Sequence, residues 1–286
     1  MHVDILGVRI ISRRNSEVLE YVLEYLKSGQ IKGKKESKKT TKPLTILTPN
    51  AEIIVYARKD KKFMEMVNRA DLTLPDGIGV VLAARIFYGK KMLQKIAGVD
   101  FMAELCAASE RGGFGIGLIG GRDNLALETL DCLRRQYNRL RGWAEDGPEI
   151  RIEDGELKMP ARRRGRENGK WRMENGKWVD HIVQEIQKAD TRILFVAFGH
   201  PKQEYLIEAL ATRLKTSRQD KPIVLMAVGG SFDYLSGRIP RAPVWIRELG
   251  LEWFYRLGRE PWRIKRQMAL PKFVFMVLQE RFARNI

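Results

Sequence analysis

Two continuous apolar segments, each followed by glycine, constrain the fold of this chain most strongly. They cover residues 193–198 and 223–228 and contain no charged or polar side chain. Segments of this length and composition are typical of central strands in a parallel sheet that helices cover on both faces. A helix is predicted between them, over residues 203–215. The two segments therefore predict the centre of an α/β sheet.

The same alternation of strands and helices extends over most of the chain. Asn50 can cap a further helix that begins at Ala51. The remaining strands are predicted at residues 3–11, 44–47, 72–74 and 114–119, and the remaining helices at residues 16–27, 78–87, 99–110 and 124–137. Strands that alternate with helices in this way predict a doubly wound α/β fold with a mostly parallel sheet.

Two segments interrupt this pattern. Residues 151–180 are polar and contain the sequence ENGKW twice, at residues 167–171 and 174–178. Because Asn-Gly pairs favour tight turns, we predict an inserted hairpin or loop there. The lysine-rich residues 30–42 predict a solvated surface loop.

The C-terminal residues 245–286 combine arginine with aromatic side chains and contain no predicted strand. We therefore predict two parts, an α/β domain over residues 1–245 and a helical appendage over residues 246–286. A basic, aromatic helical segment can bind an anionic membrane surface, because its rings enter the interface while its cations contact phosphates. The alternative is a packed helix pair with a charged outer face.

The net charge of the 286-residue chain is +17 at pH 7, with an isoelectric point near 9.9. An excess of this size indicates anionic partners, which include nucleic acid, anionic lipid and phosphorylated substrates. The sequence contains no recognisable nucleic-acid-binding motif, no secretory signal pattern and no apolar run near the ~20 residues of a membrane-spanning helix. We therefore expect a cytoplasmic protein that is peripheral to the membrane, with nucleic-acid binding as the alternative.

Polar and glycine-containing segments follow the predicted strands. They read TPNAE at residues 48–52, PDG at 75–77, GHPKQE at 199–204 and GGSFD at 229–233. Ligands of open α/β sheets bind beyond the carboxyl ends of the strands, so we expect these loops to line one cleft. Asp76 is the candidate general base among them, although an Asp-Gly pair also forms simple turns.

A further segment, GIGLIG at residues 115–120, matches the dinucleotide-binding pattern G-x-G-x-x-G. That pattern requires a strand before the first glycine and a helix at its end. Here the first glycines fall inside the predicted strand, which disfavours a nicotinamide enzyme. We instead expect the strand to end at Gly120 and Gly121, where bare backbone lets a ligand approach closely.

Taken in order, these segments resemble the WecG/TagA/CpsF glycosyltransferases. The resemblance also includes GVD at residues 98–100, RAP at 241–243, GLEW at 250–253 and the tail as far as Arg266. It implies a Rossmann-like fold and inverting, metal-independent transfer of N-acetylmannosamine from a UDP donor, without a cofactor. The implied acceptor is undecaprenyl-diphosphate-linked N-acetylglucosamine, joined through a β-1,4 linkage in teichoic acid or related polysaccharide synthesis. The uronic acid of the same sugar is the alternative.

The resemblance also implies a set of site residues. Asp76 aligns with the family's proposed base, the tail arginines align with groups thought to reach the donor's diphosphate, and Lys95 stands where family members often have arginine. The predicted substrate-binding residues, from the strand-end loops and the resemblance together, are Thr48, Asn50, Lys95, Gly120, Gly121, Gln203, Gly229, Gly230, Asp233, Arg256, Arg263 and Arg266. No metal site is predicted, because the loops contain neither an Asp-x-Asp pair nor a His/Cys cluster. The expected partners are the UDP-sugar, the lipid-linked acceptor and an anionic membrane, and a homo-oligomer is compatible with the sequence.

Overall fold

The computed structural model describes residues 2–28, 42–89, 94–159, 177–217 and 221–283. Its strands are β1 (His2–Ile5), β2 (Val8–Ile11), β3 (Leu44–Leu47), β4 (Leu72–Thr73), β5 (Gly115–Gly120), β6 (Gly142–Glu145), β7 (Arg151–Glu153), β8 (Glu156–Lys158), β9 (Thr191–Ala197) and β10 (Val224–Ala227). Its α-helices are α1 (Asn15–Ser28), α2 (Ala51–Lys59), α3 (Lys61–Arg69), α4 (Ile78–Tyr88), α5 (Gly98–Gly112), α6 (Leu125–Gln136), α7 (Lys177–Lys188), α8 (Lys202–Thr216), α9 (Ser231–Leu235), α10 (Val244–Glu248), α11 (Glu252–Arg259), α12 (Ile264–Gln267) and α13 (Ala269–Ala283). A short 3-10 helix covers Pro261–Arg263.

Six of the strands form one parallel sheet, in the order β4-β3-β10-β9-β5-β6. Side chains of β9 alternate between its faces: Leu194 and Val196 join the core cluster on one face, whereas Ile193 and Phe195 join the cluster on the other. Helices α2, α3, α7 and α8 cover the first face, and α1, α5 and α6 cover the second. The prediction of a Rossmann-like, doubly wound α/β fold is therefore confirmed.

Polar caps set the boundaries of α2 and α3. Asn50 Oδ1 accepts a hydrogen bond from the backbone N–H of Ile53 (3.1 Å), and Asp60 Oδ1 accepts one from Phe63 (3.0 Å). Such caps satisfy backbone donors that have no partner within the helix. The predicted cap at Asn50 is confirmed. Asp60 separates two helices that would otherwise form one, because it ends α2 and begins α3.

The glycine pattern at residues 115–120 lies entirely within strand β5, where its glycines allow close packing against neighbouring residues. A Cβ on Gly117 would lie 2.8 Å from the side chain of Leu194, and one on Gly115 would lie 2.8 Å from the carbonyl oxygen of Asp190. Neither position has room for a side chain. The interpretation as a strand, in place of a dinucleotide-binding turn, is confirmed.

The predicted single strand at residues 3–11 is wrong, because the structure forms an antiparallel hairpin there from β1 and β2. Leu6 (φ 55°) and Gly7 (φ 88°) make the turn, and Asp4 Oδ1 accepts a hydrogen bond from the N–H of Gly7 (2.9 Å). Leu6 is buried, so the apolar pattern continues through the turn and hides it. The hairpin forms a separate two-stranded sheet.

The predicted insertion at residues 151–180 is correct only in part. Its beginning is a hairpin of β7 and β8, joined at Asp154 and Gly155 and not at the Asn-Gly pairs. The predicted end of the insertion, at residue 180, is wrong, because helix α7 already begins at Lys177. Trp178 of α7 is buried, and its Nε1 donates to Glu145 Oε1 (2.9 Å). Most of the repeated sequence and of the lysine-rich loop lies outside the described residues.

The C-terminal segment is helical, as predicted. Its longest helix, α13, packs against α2 and α4. Phe273 and Val277 of α13 are 1% and 3% exposed and belong to the same core cluster as Leu194 of β9. None of the helices in the described ranges is long and apolar enough to cross a membrane. The tail is thus attached to the α/β domain through a buried apolar contact.

We predict that Phe273→Ala lowers the free energy of unfolding by about 3–5 kcal/mol, because it leaves a cavity between α13 and the core. Phe275→Ala is the matched control: Phe275 is 67% exposed, and surface substitutions usually change stability by less than about 0.5 kcal/mol. Urea unfolding at pH 7 measures both variants. Equal stability of the two would show that the contact between α13 and the core contributes little to folding.

Candidate active site

The strand-end loops surround one open cleft at the carboxyl edge of the sheet, with a volume of about 1130 Å³. The predicted site residues that line it are Thr48, Asn50, Asp76, Gly121, Gln203, Gly229, Gly230, Asp233, Arg256, Arg263 and Arg266. A smaller adjoining cavity of about 210 Å³ shares Asn50, Asp76 and Arg266 with it and adds Lys95. The loops therefore meet as expected, and the tail supplies part of the cleft wall.

Gly120 is the exception, because it lines neither cavity. It is the last residue of β5, and a Cβ there would lie 2.6 Å from the carbonyl oxygen of Ala197. Glycine is needed at this position because the neighbouring strand leaves no room for a side chain, and not because a ligand approaches it. Gly121 follows with φ 81°, lines the cleft, and donates its N–H to the same carbonyl (3.0 Å).

Asp76 lies in the loop after β4, which is tied to the loop after β3. The N–H of Asp76 donates to the carbonyl of Pro49 (3.2 Å). Gly98 packs beside both loops, since a Cβ there would lie 3.2 Å from Thr48 Cγ2 and 3.8 Å from Asp76 Oδ2. Thr48, Asp76 and the start of α5 therefore meet at one point of the cleft.

The surroundings of Asp76 favour its neutral form. Part of the residue faces the cleft, but protein encloses its carboxyl group, and this desolvation is the main cause that raises its pKa to about 7 from the usual 3.8. The negative charge of Glu252 raises the pKa further, while Lys95, the backbone N–H of Gly98 and Arg241 lower it. A carboxylate that titrates near neutral pH is suited to accept a proton under physiological conditions.

Sequence reasoning missed two charged residues near Asp76, which are Glu252 and Arg241. Glu252 lines the cleft, and its Oε1 accepts a hydrogen bond from Nε of Arg241 (3.1 Å). The terminal nitrogens of Arg241 donate to both carboxylate oxygens of Asp100. This network joins α5 to α11 and fixes Glu252 beside the cleft. Both residues occur in the RAP and GLEW segments, but their spacing does not indicate that they form a pair.

Gln203 and Lys95 use their side chains to hold loops in place. Gln203 is 3% exposed; its Oε1 accepts a hydrogen bond from the N–H of Gly229 (3.0 Å), and its Nε2 donates to Glu204 Oε1 (3.0 Å). Nζ of Lys95 donates to the carbonyl of Arg247 (3.4 Å). Gln203 therefore fixes the loop after β10 at the cleft, and Lys95 connects the loop before α5 to the tail.

Arginines of the tail face the cleft and contact carboxylates there. Nη2 of Arg256 donates to Asp233 Oδ2 (3.1 Å), and its guanidinium lies over the ring of Tyr234, 4.8 Å from the ring centre. Arg266 donates to both carboxylate oxygens of Glu52, at 2.9 and 3.1 Å. These pairs attach arginines of α11 and α12 to α9 and α2, the helices that follow β10 and β3.

Arg263 shares a buried carboxylate with Arg256. The Nε atoms of both arginines contact the same oxygen of Glu260, at 2.7 and 2.5 Å. Burial alone would raise the pKa of Glu260, but the contacts with Arg256 and Arg263 outweigh it, and the pKa lies below its usual value. Guanidinium groups match phosphate oxygens in geometry and charge. This end of the cleft is therefore suited to bind a diphosphate.

Comparison with known proteins agrees with this geometry. The sequence profile of the Glycosyl transferase WecG/TagA/CpsF family matches residues 3–286, which include the strand-end loops and the tail. A relative from Bacillus subtilis (strain 168), N-acetylglucosaminyldiphosphoundecaprenol N-acetyl-beta-D-mannosaminyltransferase, is 30% identical over 237 residues, which cover 82% of this chain and 79% of the relative. The chain therefore belongs to the WecG/TagA/CpsF family of glycosyltransferases.

Proposed function

We propose that the protein transfers N-acetylmannosamine from a UDP donor to undecaprenyl-diphosphate-linked N-acetylglucosamine, with inversion and formation of a β-1,4 linkage. The name of the Bacillus subtilis relative supports the transferred sugar and the acceptor. The observation that carries the proposal is the position of Asp76, a carboxylate with a pKa of about 7, in the same cleft as three arginines. The uronic acid of the sugar is the second candidate, because cleft arginines also suit a sugar carboxylate.

In this proposal, Asp76 acts as the general base of a single displacement. It accepts the proton of the acceptor hydroxyl while the hydroxyl oxygen attacks the anomeric carbon of the donor. The bond between that carbon and the diphosphate breaks in the same step, and UDP leaves with the bonding electrons. Attack from the face opposite the leaving group inverts the configuration at the anomeric carbon.

The departing UDP gains negative charge, and we propose that Arg256, Arg263 and Arg266 stabilise it without a metal ion. Charge-assisted hydrogen bonds from arginine to phosphate oxygens are among the stronger contacts in proteins. Donors that are already in place when the charge develops lower the barrier of the reaction most effectively. The pairing of each arginine with a carboxylate supports this role, because it holds the guanidinium groups at the cleft before the donor arrives.

The proposal also explains the excess positive charge of the chain, which by itself could indicate nucleic-acid binding. The donor and the acceptor each contain a diphosphate, and the acceptor lipid lies in a membrane. All three are anionic partners of a basic protein. Membership of a glycosyltransferase family favours this explanation over a nucleic-acid-binding protein or a nicotinamide enzyme.

A transfer assay in EDTA, with UDP-N-acetylmannosamine and a lipid-diphosphate acceptor analogue, tests the proposal. We predict that the wild type is active and that Asp76→Asn lowers kcat by roughly two to four orders of magnitude, the usual weight of a general base. Asp131→Asn, at an exposed position of α6, is the control and should keep full activity. The same assay with the uronic acid donor distinguishes the two candidate sugars.

Two results of this assay would contradict the proposal. If Asp76→Asn turned over within a few-fold of the wild type, Asp76 would not be the base. If EDTA abolished activity and Mg²⁺ or Mn²⁺ restored it, the arginines would not suffice to stabilise the leaving group.

We further propose that residues 246–286 form an appendage that binds the anionic cytoplasmic face of the membrane, where the lipid-linked acceptor lies. Large apolar side chains are exposed on this segment and on the first residues of α10, the helix in which it begins. They are Val244, Trp245, Leu249, Leu251, Phe254, Trp262, Ile264, Met268, Val274, Phe275, Leu278 and Phe282. Exposed apolar groups in such number mark an interaction surface, and the basic residues among them favour an anionic lipid surface.

We predict that the double variant Trp262→Ser/Phe254→Ser lowers the partition coefficient onto phosphatidylglycerol vesicles by about tenfold or more. The two residues are 73% and 62% exposed, and full burial of one large apolar side chain contributes about 1.5–3 kcal/mol. Leu127→Ser on α6, 49% exposed and outside the tail, is the control. Vesicle sedimentation measures the partition, and equal binding of the double variant and the wild type would rule out insertion of these rings.

A further inference from the structure

Glu260 lies behind the cleft wall and not in it. The residue is 7% exposed and connects α11 to the 3-10 helix Pro261–Arg263. It lines neither the large cleft nor the smaller cavity. Among the residues that the structure describes, Asp233 and Glu52 also contact tail arginines, and both line the large cleft. Glu260 therefore contacts two arginines that line the cleft without lining the cleft itself.

One oxygen of Glu260 contacts two arginines that do line the cleft. Oε2 accepts a hydrogen bond from Nε of Arg256 and forms an ion pair with Nε of Arg263, at 2.5 and 2.7 Å. Each of these contacts uses the Nε atom, and Nη2 of Arg256 donates in addition to Asp233 Oδ2. Glu260 thus holds two guanidinium groups at one position through their Nε atoms.

The loop after β10 is shaped to accept one of these guanidinium groups. A Cβ on Gly230 would lie 2.8 Å from Nη1 and 3.0 Å from Nη2 of Arg256. Any side chain at this position would displace the guanidinium, so glycine lets the arginine reach the loop backbone. The same guanidinium lies over the ring of Tyr234, 4.8 Å from the ring centre. Arg256 is therefore held by contacts with Glu260, Asp233, Tyr234 and the loop at Gly230.

From these contacts we infer that Glu260 is a positioning residue, which orients Arg256 and Arg263 as a two-arginine clamp for the diphosphate of the donor. The inference rests on the proposed function, in which Arg256 and Arg263 bind the diphosphate. Glu260 acts on binding through these two arginines. Glu260 itself does not touch the donor. Its single negative charge is shared between the two cations, and Arg256 also contacts Asp233.

Binding of UDP and of uridine by the full-length protein tests this role, because only UDP contains the diphosphate. We predict that Glu260→Gln weakens UDP binding by about tenfold or more, since truncating one partner of a buried charge pair is costly. Uridine binding should stay within about twofold of the wild type. Glu260→Asp should bind UDP with intermediate affinity. Isothermal titration calorimetry measures each affinity, and thermal unfolding checks that each variant is folded.

The direction of the change in UDP affinity distinguishes a positioning role of Glu260 from a purely electrostatic effect of its charge. Glu260→Gln removes a negative charge near the cleft, so electrostatics alone would tighten the binding of anionic UDP. Glu248→Gln removes a charge from an exposed position of the same tail and should leave both affinities unchanged. In the transfer assay, Glu260→Gln should raise the KM of the donor and leave the KM of the acceptor unchanged.

Three results would overturn the inference. UDP binding by Glu260→Gln that equals or exceeds that of the wild type would show that the arginines need no positioning. A parallel loss of uridine binding would give Glu260 a general structural role. Failure of the wild type to bind UDP at all would overturn the proposed function, and the inference with it.

Discussion

Burial of both faces of the central sheet is the constraint on which the rest of this structure depends. Leu194 and Val196 pack on one face of β9, and Ile193 and Phe195 pack on the other, all at 0% exposure. Polar groups cannot lie on such a sheet without a large loss of solvation. They lie instead at its carboxyl edge, where the parallel strands place the loops that contain Asp76 beside each other.

The tail completes this edge from outside. Its apolar side chains Phe273 and Val277 on α13 enter the core, whereas its arginines, on the helical segments before α13, line the cleft. Arg241 adds a second connection, because it joins Asp100 of α5 to Glu252 of α11. The segment that supplies arginines to the cleft also exposes aromatic rings to solvent. We propose that membrane contact and donor binding therefore depend on one structural unit.

Sequence alone predicted the elements whose patterns are local. The central strands are continuous apolar runs, and Asn50 is an oxygen-bearing cap directly before a helix, so both were predictable. Strand β6 was missed, because its residues Gly142–Glu145 are half-buried at the sheet edge and are not a continuous apolar run. The turn at Leu6 and Gly7 was missed because Leu6 is buried like a strand residue.

The residues of the candidate site also fall into those that the sequence predicts and those that it does not. The loops that contain Thr48, Asp76 and Gln203 were predictable, because a strand end fixes where a following residue lies. The roles of Glu252 and Glu260 were not, because each depends on a contact between side chains that only the folded tail brings together. Gly120 shows the reverse error: a glycine at a strand end suggests ligand access, but here it accommodates the neighbouring strand.

The central claim is that burial and Glu252 prepare Asp76 to act as a base near neutral pH, and the pH dependence of kcat tests it most directly. Asp76 has a pKa raised to about 7, so kcat should fall as the pH drops through that value and the base becomes protonated. Glu252→Gln removes a negative charge and should move this acid limb to lower pH, whereas Glu248→Gln at an exposed position should not. An acid limb near the ordinary aspartate value of about 4 in the wild type, or a limb that Glu252→Gln does not move, would contradict the claim.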